Sequence, residues 1–229
     1  MAEFSGFPKE GSAFLMGLEK NNKKEWFDAH RDEYENSVLE PAKLFVEAMG
    51  QRLHAISKNI HAEPRVNGSI RRINRDVRFS KDKSPYKNHL DLQFWEGGTE
   101  RCGSCSFLFR MYHDRVVLGV GVYEFSKPGL DAYRRAVVET KSGTALEAAA
   151  AKAKKAGYDV GGQHYKRVPS GFDPEHKRAT YLLHTALYAG KRHELPADVS
   201  NKKFTAFCFN EYKKLLPLHQ WLVDYVAKG

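Results

Sequence analysis

The apolar period changes between the N-terminal part of this chain and the segment from Leu90, and that change constrains the class of fold. Before residue 60 the apolar side chains recur at helical spacing. Phe14, Leu15 and Leu18 form one stretch that Asn21-Asn22 stops, and Trp26, Phe27 and Tyr34 form a second. Leu44, Phe45, Met49, Leu53 and Ile56 form a third, which opens at Pro41 and ends near Asn59. From Leu90 the period becomes two. Leu90, Leu92 and Phe94 alternate with Asp91, Gln93 and Trp95 until Gly97-Gly98. Residues 107–112 and 116–123 read as two more strands, joined in a hairpin at His113-Asp114-Arg115. Three near-consecutive strands with short connections predict an antiparallel sheet.

Helices return after the strands. Ser126 is a predicted N-cap for a helix through Leu130, Tyr133 and Val137. The alanine-rich run 144–156 predicts another, stopped by Gly157. Asp173-Pro174 reads as a further helix start, and 187–195 as an edge strand. Residues 201–221 and beyond give one or two closing helices, broken or kinked at Pro217. Neither a repeat nor a linker interrupts the pattern. The expectation is a single α+β domain over residues 1–229, a mainly antiparallel sheet flanked by N-terminal and C-terminal helices.

Composition then narrows the function classes. The chain has 229 residues, 37 of them Lys or Arg against 28 Asp or Glu, a formal charge of +9. Mean hydropathy is -0.59, and no apolar run approaches the ~18 residues that span a bilayer. Residues 1–11 carry acids, Gly and Pro rather than a basic start and apolar core, so no signal peptide is expected. Three cysteines suit a reducing cytoplasm better than a disulfide framework. The excess charge is concentrated. Residues 65–87 hold eight Lys or Arg against Asp76 and Asp82, two-thirds of the excess in a tenth of the chain. Spread evenly, that charge would speak only to solubility; concentrated, it suggests an anion-binding surface.

Within this run, residues 72–86 read R-I-N-R-D-V-R-F-S-K-D-K-S-P-Y. If helical, Arg72, Arg75 and Phe79 share a face; if extended, Asp76 and Arg78 project together. Arginine keeps its proton and offers a planar fork that grips carboxylate or phosphate. Asp76 and Asp82 can pair with two of the cations and fix their geometry. The remaining cations are then free to face a ligand. The plainer alternative is a solvated basic loop whose charges pair only with one another.

The run Arg72-x-x-Arg75-Asp76-x-Arg78-Phe79-x-x-Asp82-Lys83-x-x-Tyr86 resembles the hallmark of the bacterial domain-of-unknown-function 2461 family. Other parts are similar too: Phe4-x-Gly6-Phe7 with Phe14-Leu15, Asn21-Asn22 before Trp26-Phe27, and Gly119-x-Gly121 before Tyr123. Leu130 with Arg134 and the segment from Pro169 to Pro174 complete the likeness, which covers nearly the whole chain. The resemblance implies that the motif side chains act together. It attaches no reaction to them.

Other chemistries find little support. Cys102-Gly-Ser-Cys105 supplies two of the four ligands a zinc ion takes, and Arg101 stands where a zinc deaminase has Pro, so no metal is expected. Phosphate-loop and dinucleotide fingerprints are missing, as is a nucleophile elbow, and no cofactor is evident. His89 follows the motif closely and is a candidate acid or base, although a surface histidine at a strand end is the plainer reading. Lys152, Lys154 and Lys155 read as a solvated helix face. Trp26, Phe27, Tyr34 and Trp95 read as packing rather than base-stacking platforms.

Three functional readings follow. In the first, Arg72, Arg75, Arg78 and Asp82 bind a small phosphorylated or carboxylated ligand. If a reaction accompanies binding, Lys83, Tyr86 and Asp76 are the candidates for proton transfer and orientation. The second is a nucleic-acid-binding module, with weak and non-specific binding expected. The third makes the arginines a buried salt-bridge hub closed to ligands. No membrane partner is expected, and the sequence leaves the oligomeric state open.

Overall fold

A computed structural model describes residues 3–98 and 103–226. The N-terminal part is helical, as the apolar spacing predicts. Helix α1 (Lys9–Lys20) buries Phe14, Leu15 and Leu18, while α2 (Lys24–Ala29) and α3 (Arg31–Tyr34) bury Phe27 and Tyr34. A wider π-helical segment, Glu35–Leu39, runs into α4 (Glu40–Leu53), which has Pro41 in its first turn. Proline cannot donate to the carbonyl four residues back, here that of Ser37, and the helix widens at that place. The α4 helix stops at Leu53, before the expected Ile56.

Among the described residues, six strands form one antiparallel sheet: β1 (Ile60–His61), β2 (Leu90–Glu96), β3 (Ser106–Met111), β4 (Arg115–Val122), β5 (Asp159–Gln163) and β6 (His184–Glu194). Their order across the sheet is β1-β2-β3-β4-β6-β5. The strand expected at an edge is therefore internal: β6 pairs antiparallel with β5, which takes the edge. Gly121 of β4 allows close approach there, since a Cβ on it would overlap the backbone of Leu187 and Tyr188. Helices α5 (Lys127–Val138) and α6 (Thr140–Lys155) follow β4, and Ser126 Oγ accepts the N–H of Gly129 as the expected cap. Asp173 does not open a helix. Its Oδ1 accepts the N–H of Glu175 at 2.9 Å, a local turn that competes with helix initiation, and the short α7 (Ala179–Leu182) begins later. The chain closes with α8 (Lys203–Lys214) and α9 (Leu216–Tyr225), separated just before Pro217. No described helix is long and apolar enough to cross a membrane.

The chain gathers into two compact units, each assembled from three stretches. One comprises Met1–Phe94, Leu108–Leu118 and Arg192–Asn210; the other comprises Trp95–Phe107, Gly119–Lys191 and Glu211–Gly229. In the first, Phe4, Phe7, Phe45, Phe109 and Phe204 form an aromatic core with neighbouring centroids 4.9–6.2 Å apart. In the second, Tyr133 of α5 lies between Phe125 and Trp221, and the small side chains Ala149, Ala150 and Ala153 are buried along α6. The alanines thus serve packing as well as helix propensity, while Lys152, Lys154 and Lys155 are exposed.

Candidate functional site

The basic motif lies in the first unit and is neither helix nor strand. Its stem is closed by backbone pairing: Arg75 N–H donates to Pro85 O and Lys87 N–H to Ile73 O, both at 2.8 Å. The side chain of Asn22, between α1 and α2, fixes the far end of the motif. Its Nδ2 donates to Tyr86 O at 2.9 Å, and its Oδ1 accepts Tyr86 N–H at 3.0 Å. The Tyr86 ring stacks on Phe27 of α2, centroids 4.2 Å apart, so the motif ends on the aromatic packing of the N-terminal helices.

Between those anchors the charges are largely paired. Arg78 grips Asp76 through Nε and Nη2, the latter at 2.7 Å, and also donates its backbone N–H to Asp76 Oδ1. These bonds lower the Asp76 carboxyl to about 2. Asp82 accepts the hydroxyl and N–H of Ser84, and Arg75 Nη1 pairs with it; together they hold its carboxyl below the usual range. Lys83 Nζ donates to Val77 O at 3.0 Å. Arg72 is exposed, and its charge acts on Asp76 through space. Phe79 is 95% exposed at the loop tip, with the Arg78 guanidinium 5.7 Å from its ring centre.

One side of the loop borders an open cleft of about 560 Å³. Its lining divides the motif. Arg75, Asp76, Asp82 and Tyr86 reach the cleft, whereas Arg72, Arg78 and Lys83 do not line it. Three arginines therefore do not converge on one point, and the extended pairing of Asp76 with Arg78 replaces the helical face. The rest of the lining comes from elsewhere in the unit: Glu19 of α1, Asn22, the segment from Lys87 to His89, Asp91 of β2 and Arg110 of β3.

Asp91 organises that far wall. Arg110 forks onto it, Nε to Oδ1 at 2.6 Å and Nη2 to Oδ2 at 3.2 Å, while Lys87 Nζ and His89 Nε2 lie 3.4 and 3.3 Å from Oδ2. Its side chain is only 15% exposed. Burial pushes its carboxyl up, but the hydrogen bonds and charges of His89 and Arg110 outweigh burial and hold it well below the ordinary value. His89 also meets Asn88 Oδ1 through Nδ1 at 3.0 Å and lies against the Tyr112 ring. It thus joins the site as an alternative the sequence had raised.

Sequence reasoning missed Asp91, Arg110 and Glu19. The available signal was a charged residue at an interior position of each strand: Asp91 follows buried Leu90, and Arg110 separates buried Phe109 from Met111. Among the described residues, no group of three or more His, Cys, Asp or Glu is placed to hold a metal ion. Cys102 lies outside the described residues. Cys105 is a free buried thiol, pushed up by burial.

The comparison with known proteins agrees with the motif. No curated protein matches the chain. A family described as conserved hypothetical protein (DUF2461) matches residues 10–221, so nearly the whole chain is covered and the protein belongs to this domain-of-unknown-function family.

Proposed function

We propose that the cleft binds a small anionic ligand, phosphorylated or carboxylated. The reading is carried by the far wall, where one half-buried carboxylate, Asp91, draws Arg110 and Lys87 to the cleft and leaves each with spare donors. Arg75, pinned by Asp82, supplies a third permanent cation. Arginine forks and a lysine suit phosphate or carboxylate oxygens, and a cleft of this size suits a small molecule. Of the two groups expected to move protons, Tyr86 borders the cleft and Lys83 does not, so Tyr86 and His89 are the ones a reaction there would use, with Asp76 as an orienting group beside them. The buried thiol of Cys105 supports a reducing, cytoplasmic setting.

Thermal unfolding with inorganic phosphate tests the reading. A ligand at a hundred times its Kd stabilises by about 2.7 kcal/mol. Arg110→Ala and Arg75→Ala should each remove that response. Equal responses in wild type and both variants, or none in wild type with phosphate, acetate and succinate, would overturn the proposal.

A second reading has its own support. Arg72, Arg78, Lys81 and Lys83 are exposed around Phe79, an arrangement suited to weak contact with a nucleic-acid backbone. Binding of a labelled single-stranded oligonucleotide should then vanish between low and physiological salt. Tight, sequence-selective binding at physiological salt would place this reading ahead of the first.

A further inference from the structure

The cleft is not simply cationic. Arg75, Lys87 and Arg110 share its lining with four carboxylates, those of Glu19, Asp76, Asp82 and Asp91. Three of these are committed elsewhere: Asp91 to Arg110, His89 and Lys87, Asp82 to Ser84 and Arg75, and Asp76 to Arg78. Glu19 differs. Its one ionic partner among the described residues is His113, at 3.1 Å through Oε2, and its side chain is 45% exposed.

A carboxylate is an acceptor with two oxygens and no donor of its own when ionised. Beside an anion site it opposes a plain anion and favours a ligand that brings a positive donor to it. The balance of charges around the cleft favours a ligand of the same kind, one whose own charges nearly cancel.

We propose that the ligand is a small zwitterion. Its phosphate or carboxylate lies against Arg75, Lys87 and Arg110, and its protonated amine lies against Glu19 of α1. The inference rests on the anion reading above and adds the amine to it. Glu19 is then the residue that selects among anions, and the cations supply attraction common to all of them.

Two matched ligand pairs test this by calorimetry on the full chain. O-phosphoethanolamine is compared with ethyl phosphate, and β-alanine with propionate; the pairs also separate a phosphate ligand from a carboxylate one. The amine-bearing member of at least one pair should bind about tenfold more tightly, the size of one charge-assisted hydrogen bond. In Glu19→Gln that ratio should fall to near one, with ethyl phosphate bound more tightly than by wild type because a negative charge is gone. Equal binding within both pairs overturns the zwitterion and leaves the anion reading standing. A ratio that survives in Glu19→Gln also overturns it. No binding by any of the four overturns both readings.

Discussion

Asn22 treats Tyr86 as a neighbouring strand would: its side-chain amide donates to the Tyr86 carbonyl and accepts the Tyr86 N–H, across 64 residues of sequence. That amide works beside the backbone pairs Arg75–Pro85 and Lys87–Ile73 to hold the end of the loop. Asn22→Ala should leave both backbone groups without that partner and cost about 1–3 kcal/mol. Asn22→Asp should recover less than half of the loss, because a carboxylate faces the Tyr86 carbonyl without a donor. Urea midpoints of the three proteins check this, and an Asn22→Ala loss below about 0.5 kcal/mol would contradict it.

The ion pairs of the site should divide sharply by exposure. Arg78, 76% exposed, and Asp76 form a pair open to water, so Arg78→Ala should leave the urea midpoint nearly unchanged. Asp91→Ala removes the mostly buried carboxylate that exposed Arg110 and half-buried Lys87 and His89 share, and should cost about 1–3 kcal/mol. The opposite ranking would favour a salt-bridge hub built on the loop arginines.

Acid should weaken the fold in two separate windows. His184 is buried beside Tyr133, and burial, helped by Lys154, lowers its imidazole from 6.5 to about 4. The unfolded chain binds a proton there first, so stability should fall as pH drops from about 6.5 toward about 4. His219, lowered by burial against the opposing charge of Glu96, acts in the same direction as pH falls below 6.5. Asp91, lowered in the fold, acts only below its unfolded value near 3.9, where its contribution is lost as pH falls further. Urea titrations between pH 7 and 4 should show a shallower slope for His184→Gln than for wild type. Identical slopes would rule out His184 as a contributor.

Gly143 should not tolerate a methyl group. Arg178, 1% exposed, donates Nε to Val137 O at 2.6 Å and Nη2 to Glu139 O at 3.0 Å, closing the end of α5. A Cβ on Gly143 would overlap that guanidinium and the Val137 carbonyl. Gly143→Ala should therefore destabilise, even though alanine favours a helix by about 1 kcal/mol. A higher melting temperature in Gly143→Ala would contradict the cap.

Much of the fold could be read where one rule dominated locally. Phe14, Leu15 and Leu18 placed α1, Ser126 capped α5, and alternation located β2. The failures have local causes as well. Asp-Val-Gly-Gly-Gln in β5 has one β-branched residue and two glycines, so pairing with β6 makes that strand rather than propensity. At Asp173 the turn-forming side chain won over the capping signal. The candidate site divides along the same line. Sequence alone marked Arg75, Asp76, Asp82 and Tyr86, because they crowd one segment. It could not bring Asp91 to Arg110, whose pairing depends on the register between β2 and β3, which apolar alternation alone does not set.

The interleaving of the two compact units bears on how the protein can be made. The first aromatic core needs Phe204 against Phe7, Phe45 and Phe109, and Phe7 N–H is bonded to Val199 O at 2.8 Å. A ribosome delivers residues 4 to 109 long before residue 204, so the nascent chain carries that apolar surface open through about half of its synthesis. The late segment from Arg192 to Asn210 then acts as a clasp, and a chain stalled before it would present its phenylalanines to chaperones rather than to one another.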